Sequence, residues 1–300
     1  MSEPRCGVVI VTYNSADVLP GCLDSLDAGA CGVDLVAVVV ADNNSDDNSL
    51  EVAAAAGAST VQVGRNAGYA AGFNAGAATL DLADLDAVCV LNPDCRLCPG
   101  ALGALAEALQ RPGFGIAAPR LVNPDGTVQP TLRRMPAVHR AVAEALLGGR
   151  LAGRWSELIM SSERHAEPGP AVWATGAALL MSVATLRDTG DWDESFLLYS
   201  EETDFILRAA EQGWALWYEP SAVVEHIGAA SGFNPSLAGL MAVNKVRLFR
   251  RRRGLPSTVA YAVALTAGEG LRALAGRPGS RAAFAALVLP SRRLTRLVGG

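Results

Sequence analysis

No apolar run in this 300-residue chain reaches the ~20 residues that a bilayer-spanning helix needs. The uncharged stretch 168–186 is broken by Pro168, Gly169, Pro170 and Gly176, and the uncharged stretch 254–268 is too short. The opening MSEPRCGVVIV has no basic segment leading into an apolar one, so no secretory leader is expected. Six cysteines are present, but only Cys95 and Cys98 have C-x-x-C spacing. No second pair or neighbouring histidine completes a zinc site, so the cysteines are expected as mostly reduced thiols. G-x-G-x-x-G and the P-loop pattern are both missing, which removes the usual dinucleotide and ATP fingerprints. There is no internal repeat. These absences leave a cytoplasmic globular protein, at most peripheral on the inner face of a membrane.

The charge is divided unevenly. Residues 245–300 hold twelve of the 25 Lys and Arg and one acid, Glu269, for a formal +11, which leaves −16 on residues 1–244. An acidic body with a basic C-terminal element follows, and the basic element either neutralises its own body or contacts anionic headgroups. Nucleic acid is not an expected partner, because the body is acidic and carries no recognisable binding module.

Short β-branched runs alternate with alanine-rich stretches through the first half. Strands are expected over 8–12, 35–40, 60–63 and 87–91, with helices over 49–56, 69–82 and 101–110 and Ser15 capping a helix after the first strand. This order implies a mostly parallel sheet with helices on both faces, ligands binding at the strands' C-terminal edge. Beyond residue 115 the expected features are a turn at Asn123-Pro124-Asp125-Gly126, a mobile connection over 136–170 that mixes a helical stretch with Gly, Pro and charges, strands over 177–182 and 215–218, a helix over 201–212, and a long basic helix over 237–253.

Polar residues collect where strands end: Thr12-Tyr13-Asn14, Asp42-Asn43-Asn44-Ser45 and Asn92-Pro93-Asp94. Any one of these could be an ordinary cap or turn. Three at one sheet edge point to a ligand site. The segment GRNAGYAAGFNAG (64–76) opens a helix with small residues, which permits close helix–sheet packing or close approach of a ligand.

Together with VVIVTYN (8–14), ADNNSDD (41–47), VLNPD (90–94), TGAALLMS (175–182), FLLYSEETDFILRA (196–209) and EHIGAAS (225–231), this segment resembles the GT-A-fold, family 2 glycosyltransferases, in particular their bacterial rhamnosyltransferase-like members. The resemblance covers about 230 residues in the family's order. It implies a Rossmann-like GT-A α/β domain over 1–235, with a nucleotide-sugar half (1–115) and an acceptor half (116–235), followed by a basic helical extension over 236–300.

The resemblance also implies roles. Asp42 accepts from the pyrimidine N3–H, Thr12, Tyr13, Asn14 and Asn44 line the base and ribose, and Arg65 and Asn66 contact the nucleotide. Asn92 and Asp94 stand in the place of the family's D-x-D motif. The first aspartate is replaced, which thins the site for a divalent Mg²⁺ or Mn²⁺ that Asp94 and His226 would hold. Glu201-Glu202-Thr203-Asp204 stands where the family writes Glu-Asp-x-Asp, so Glu202 is the expected general base, with Glu201 or Asp204 as alternates. The bland alternative is that acids at a helix start complement its dipole, and that Asp204 and Arg208 are a surface i,i+4 pair. Trp173, Thr175 and Gly176 would line the acceptor cleft, whereas Trp192, Trp214 and Trp217 are expected in the core.

The implied activity is inverting transfer of a sugar, rhamnose from dTDP-rhamnose, to a saccharide or polyprenyl-diphosphate-linked acceptor in cell-wall or surface polysaccharide synthesis. A UDP-sugar-using transferase (galactofuranosyl or N-acetylhexosaminyl) and a non-catalytic nucleotide-sugar-binding protein are the alternatives. Self-association into a homo-oligomer is left open.

Overall fold

The run Cys6–Thr12 is buried at every position and forms β1 (Arg5–Thr12), the strand on which the N-terminal half of the sheet is assembled. The computed structural model describes residues 2–228 and 234–297. After β1 come α1 (Leu19–Asp24), α2 (Leu26–Gly29), β2 (Asp34–Asp42), α3 (Ser49–Ala55), β3 (Ser59–Gln62), α4 (Tyr69–Ala77) and β4 (Ala87–Leu91). β2 and β4 flank β1 and run parallel to it, and β3 runs parallel to β2. Ser15 contributes to α1 through its carbonyl, which accepts from the Val18 and Leu19 N–H groups, and not through a side-chain cap. α4 stops at Ala77, short of the expected 82. A Cβ on Gly72 or Gly76 would collide with Val11 or Val9, so these two glycines let α4 lie directly on β1.

The chain continues through β5 (Cys95–Leu97), α5 (Ala101–Ala108), β6 (Phe114–Val122), β7 (Leu132–Arg133), α6 (Val138–Leu151), α7 (Ser162–Ala166), β8 (Gly169–Ala171), β9 (Trp173–Ala174), β10 (Ala178–Ser182), α8 (Val183–Thr189), α9 (Glu201–Glu211) and β11 (Ala215–His226). The main sheet has the order β3-β2-β1-β4-β10-β6-β11-β5, with β8 also on β11. β10 is antiparallel to both β4 and β6. That reversal places Ala178, the start of β10, beside Leu91, the end of β4. The loop before β10 therefore joins the edge where the parallel strands end.

Two further departures from expectation have physical causes. The region 136–170, read as a mobile connection with a helical stretch, contains two helices, α6, bent where Gly148 takes φ 75°, and α7. α6 is fixed by packing on a helix more than a hundred residues downstream, which Gly, Pro and charge content do not report. β11 extends from the expected 215–218 to His226, because a register shift between Glu219 and Val223 lets the strand bend and go on to pair with β5.

At the C-terminus the expected basic helix is followed by two more: α10 (Pro235–Arg252), α11 (Leu255–Leu274) and α12 (Pro278–Val288). α10 packs on the body through Leu240, Asn244, Leu248 and Phe249, all buried.

Candidate functional site

The three polar strand ends meet at one edge. Asn43 N–H donates to Thr12 O (2.9 Å), Asn14 N–H to Ser45 Oγ (2.8 Å), and Asp46 N–H to Asn14 Oδ1 (2.8 Å). Asn14 and Asn44 adopt left-handed backbone, φ 48° and 63°, which asparagine tolerates well. Asp42 is fully buried and accepts from Ser45 N–H (2.8 Å) and Oγ–H (2.5 Å), so its carboxylate is fixed in place with acceptor capacity left over. The neighbouring Thr12 hydroxyl is buried and has no hydrogen-bond partner among the described residues, which marks a spot where a ligand's polar group fits. Asn66 is buried and Arg65 exposed, the latter at the open side of the edge.

The second part of the edge is built by β11 crossing to β5. Register places His226 opposite Cys95, and Ile227 N–H donates to Asp94 O at 3.0 Å. His226 Nε2 thereby lies 3.5 Å from Asp94 Oδ1 and 3.4 Å from Asn92 Nδ2. Gln129 brackets the histidine: its Oε1 lies 2.9 Å from Nδ1 and its Nε2 donates to His226 O at 2.7 Å. With Nδ1–H donating to Gln129 Oε1, Nε2 is the ring nitrogen that faces Asp94. A carboxylate oxygen and an imidazole nitrogen placed together in this way would suit a divalent cation. Cys95 lies within reach of both, but burial, reinforced by the Asp94 charge, pushes its thiol well up and leaves it protonated, donating to Ala177 O.

The third part is the start of α9. Leu197, Tyr199 and Ser200 all have positive φ (63°, 67°, 79°), an unusual run for residues other than glycine. This loop lies against the glycine segment, Tyr69 N–H donating to Leu197 O at 2.9 Å. It presents Glu201 and Glu202. A Cβ on Gly176 would stand 2.9 Å from the Glu202 Cβ, so Gly176 is the residue that lets Glu202 reach the edge. Tyr69 Oη donates to Gly176 O (3.1 Å), and Asn92 N–H donates to Ala177 O (2.8 Å), which ties the Glu202 side to the Asn92–Asp94 side. Burial raises both carboxyls above the ordinary glutamate range. For Glu201 the Glu202 charge adds to the rise, whereas Glu202 is drawn partly back by backbone N–H donors and by Arg133.

Asp204 is not a surface partner of Arg208. It is 1 % exposed and meets three guanidiniums, Arg208 (2.9 Å), Arg251 (3.2 Å) and Arg252 (3.1 Å). With Arg247 on Ser195, three arginines of the basic run are spent on the body. Trp173 is buried, its indole N–H donating to Arg134 O (3.2 Å), so its ring packs in the core and does not line an open cleft. Thr175 and Gly176 stay partly exposed beside Glu202. Of the other tryptophans only Trp192 is fully buried, and Trp214 and Trp217 are half-buried.

Asn244 was not foreseen. From the buried side of α10 its amide donates to Phe196 O (2.7 Å), Leu198 O (2.9 Å) and Tyr199 O (3.1 Å), clamping the left-handed loop. The available signal was its place between Leu240 and Leu248, at four-residue spacing on an apolar stripe. Gln129 and Arg133 gave no such signal. Of the motif EHIGAAS, residues 229–231 lie outside the described residues, as do 298–300 of the extension.

The profile of Glycosyl transferase family 2 matches residues 7–188. The N-acetylglucosaminyl-diphospho-decaprenol L-rhamnosyltransferase of Mycobacterium tuberculosis is 31 % identical over 242 residues, covering 76 % of this chain and 78 % of that protein. Among solved structures, the mannosyltransferase PcManGT from Pyrobaculum calidifontis, in complex with GDP-Man and Mn²⁺, superposes with a TM-score of 0.59 at 16 % identity, over 97 % of this chain and 81 % of that one. GalNAc-T7 with UDP, GalNAc and Mn²⁺ gives 0.60 at 15 % identity, over 82 % of this chain and 48 % of that one.

Proposed function

The chain belongs to glycosyl transferase family 2, and from that premise we propose that it transfers rhamnose from dTDP-rhamnose, with inversion, to a polyprenyl-diphosphate-linked saccharide. The observation that carries this reading is the meeting of a fixed Asp42 and orphaned Thr12, an Asp94–His226 pair and a half-buried Glu202 on one sheet edge. The rhamnose and the polyprenyl acceptor rest on the mycobacterial relative.

Thr12, Tyr13, Asn14, Asp42 and Asn44 form the base and ribose pocket, with Arg65 and Asn66 on the nucleotide. Asn92 orients the diphosphate, and Asp94 and His226 would hold Mg²⁺ or Mn²⁺, which when bound would offset the negative charge that builds on the departing diphosphate. Glu202 takes the proton of the acceptor hydroxyl while its oxygen bonds to the anomeric carbon. The sugar–phosphate C–O bond breaks on the opposite face and its electron pair leaves with the diphosphate. Asp204, held by three arginines, anchors α10 to α9, and Thr175 and Gly176 border the acceptor's approach.

The direct test is a thermal-shift panel of dTDP- and UDP-sugars with Mn²⁺, followed by nucleoside diphosphate release with Mn²⁺ or EDTA. A ligand at a hundredfold excess over Kd stabilises by about 2.7 kcal/mol, so a shift of several degrees is expected with dTDP-rhamnose, and release that EDTA stops. Stabilisation by NAD(H) with none by nucleotide sugars would overturn the reading; binding without turnover would make the chain a sensor.

Two further outcomes are expected. Gln129→Ala frees the His226 ring, so half-maximal activation should need about 10–100-fold more Mn²⁺, measured by metal titration of turnover. Arg133→Gln removes a positive charge that holds the Glu202 carboxyl down. The active form is the carboxylate, so the acidic limb of the kcat profile should move to higher pH, with the alkaline plateau retained. A limb that stays put would detach Arg133 from the base.

A further inference from the structure

The solvent side of α11 is inverted relative to an ordinary surface helix. Leu255, Val259, Val263, Leu271 and Leu274 are its exposed large side chains, Leu274 at 88 %, and no exposed position between 255 and 274 is charged. Helical spacing puts 255, 259, 263, 267 and 271 in one row. A second apolar surface lies alongside. α6 crosses α11 where Gly268 admits Ala145, a Cβ at 268 falling 3.0 Å from the Ala145 backbone. Next to that crossing α6 exposes Leu146, Leu147 and Leu151, the last at 83 %, and Trp155 follows with Arg154 over its ring at 5.2 Å. Exposed large apolar side chains gathered on two helices that pack together mark a candidate interaction site.

The charges around the face identify its partner. Arg250 and Arg253 stand before the start of α11, and Arg277 and Arg281 follow its end, all exposed. Glu269, the single acid of the extension, is already paired with Arg272 at 2.8 Å. Two copies of the face brought together, in either helix orientation, would set one arginine cluster against another. An anionic bilayer instead offers an apolar interior for the leucines and phosphates for the arginines. No helix among the described residues is long and apolar enough to cross a membrane, so the face lies in the interfacial plane.

We infer that the α6–α11 face, edged by Trp155 and the arginines at both ends of α11, is a membrane-docking surface for anionic phospholipid. It differs from a purely electrostatic tail in two respects: it recruits α6, outside the basic segment, and it depends on apolar insertion. It is independent of the sugar transferred.

The test is co-sedimentation with vesicles of phosphatidylglycerol and phosphatidylcholine in equimolar mixture, against vesicles of phosphatidylcholine alone. The wild-type chain should bind the anionic vesicles at least tenfold better. The triple variant Leu146→Glu, Val263→Glu, Leu271→Glu should lose that binding while its Tm and its donor hydrolysis stay unchanged, since all three positions are exposed. Trp155 emission should shift to the blue on binding, a change absent in Trp155→Phe. Equal binding by the triple variant would mean the arginines act alone, and no vesicle binding by the wild type would remove the membrane; either overturns the inference. So would a wild-type dimer in light scattering that the triple variant dissociates, because the face would then join two copies. Donor hydrolysis measured in the same samples reports separately on the transferase reading.

Discussion

Glu202→Gln is expected to bind the nucleotide sugar as the wild type does and to lose transfer by about 10²–10⁴-fold, the usual span for removing a general base. The amide keeps the volume and most of the packing against Gly176 but has no basic oxygen. KM for the donor should therefore hold while kcat falls, because the residues proposed to bind the donor stand on β1 and β2, across the edge from α9. The wild-type acidic limb is expected above the ordinary glutamate range, because burial raises the carboxyl and only the ionised form accepts a proton. Glu201, more deeply buried and raised further, should tolerate Gln better. Undiminished turnover in Glu202→Gln would remove that residue from the chemistry.

Asn244→Leu is expected to lower kcat about a hundredfold, the cost of a small misplacement of a reacting group, though it lies outside the edge itself. Leucine matches the volume but donates nothing, so the Phe196, Leu198 and Tyr199 carbonyls lose the amide that holds them. Each buried carbonyl left unsatisfied costs about 1–3 kcal/mol, and a loop with three left-handed residues has little reason to keep its shape without them. Donor KM should change little. The decisive measurement is the double variant with Glu202→Gln: if Asn244 acts by aiming the base, its loss should cost almost nothing more once the base is gone. Full additivity would assign Asn244 to general stability.

Much of this was legible in the sequence, for definable reasons. Strands β1, β2 and β4 are apolar runs ended by Asn, Asp or Thr, and those endings point to one edge whatever the rest of the chain does. Glu202 and His226 could be matched to family motifs, but their neighbourhoods could not. His226 reaches Asp94 through an irregularity in β11 that no local pattern encodes, and Gln129 meets it from 97 positions away. Asp204 looked like half of a surface pair because i,i+4 spacing is local, whereas its two other arginines come from a helix about 47 residues on. Trp173 was assigned to a cleft by its position before Gly176, and its burial comes from packing that sequence spacing does not report. The helical stretch of α6 was legible, but not that it is fixed, because the helix it packs on, α11, lies more than a hundred residues away.

The amide of Asn244 is synthesised 45 to 48 residues after the carbonyls it holds. On the ribosome, every strand of the main sheet is complete before the clamp exists. A nascent or prematurely terminated chain that stops short of α10 would thus carry an intact nucleotide cradle and an unaimed carboxylate. On the proposed reading, such a fragment would hold activated sugar without spending it until α10 docks.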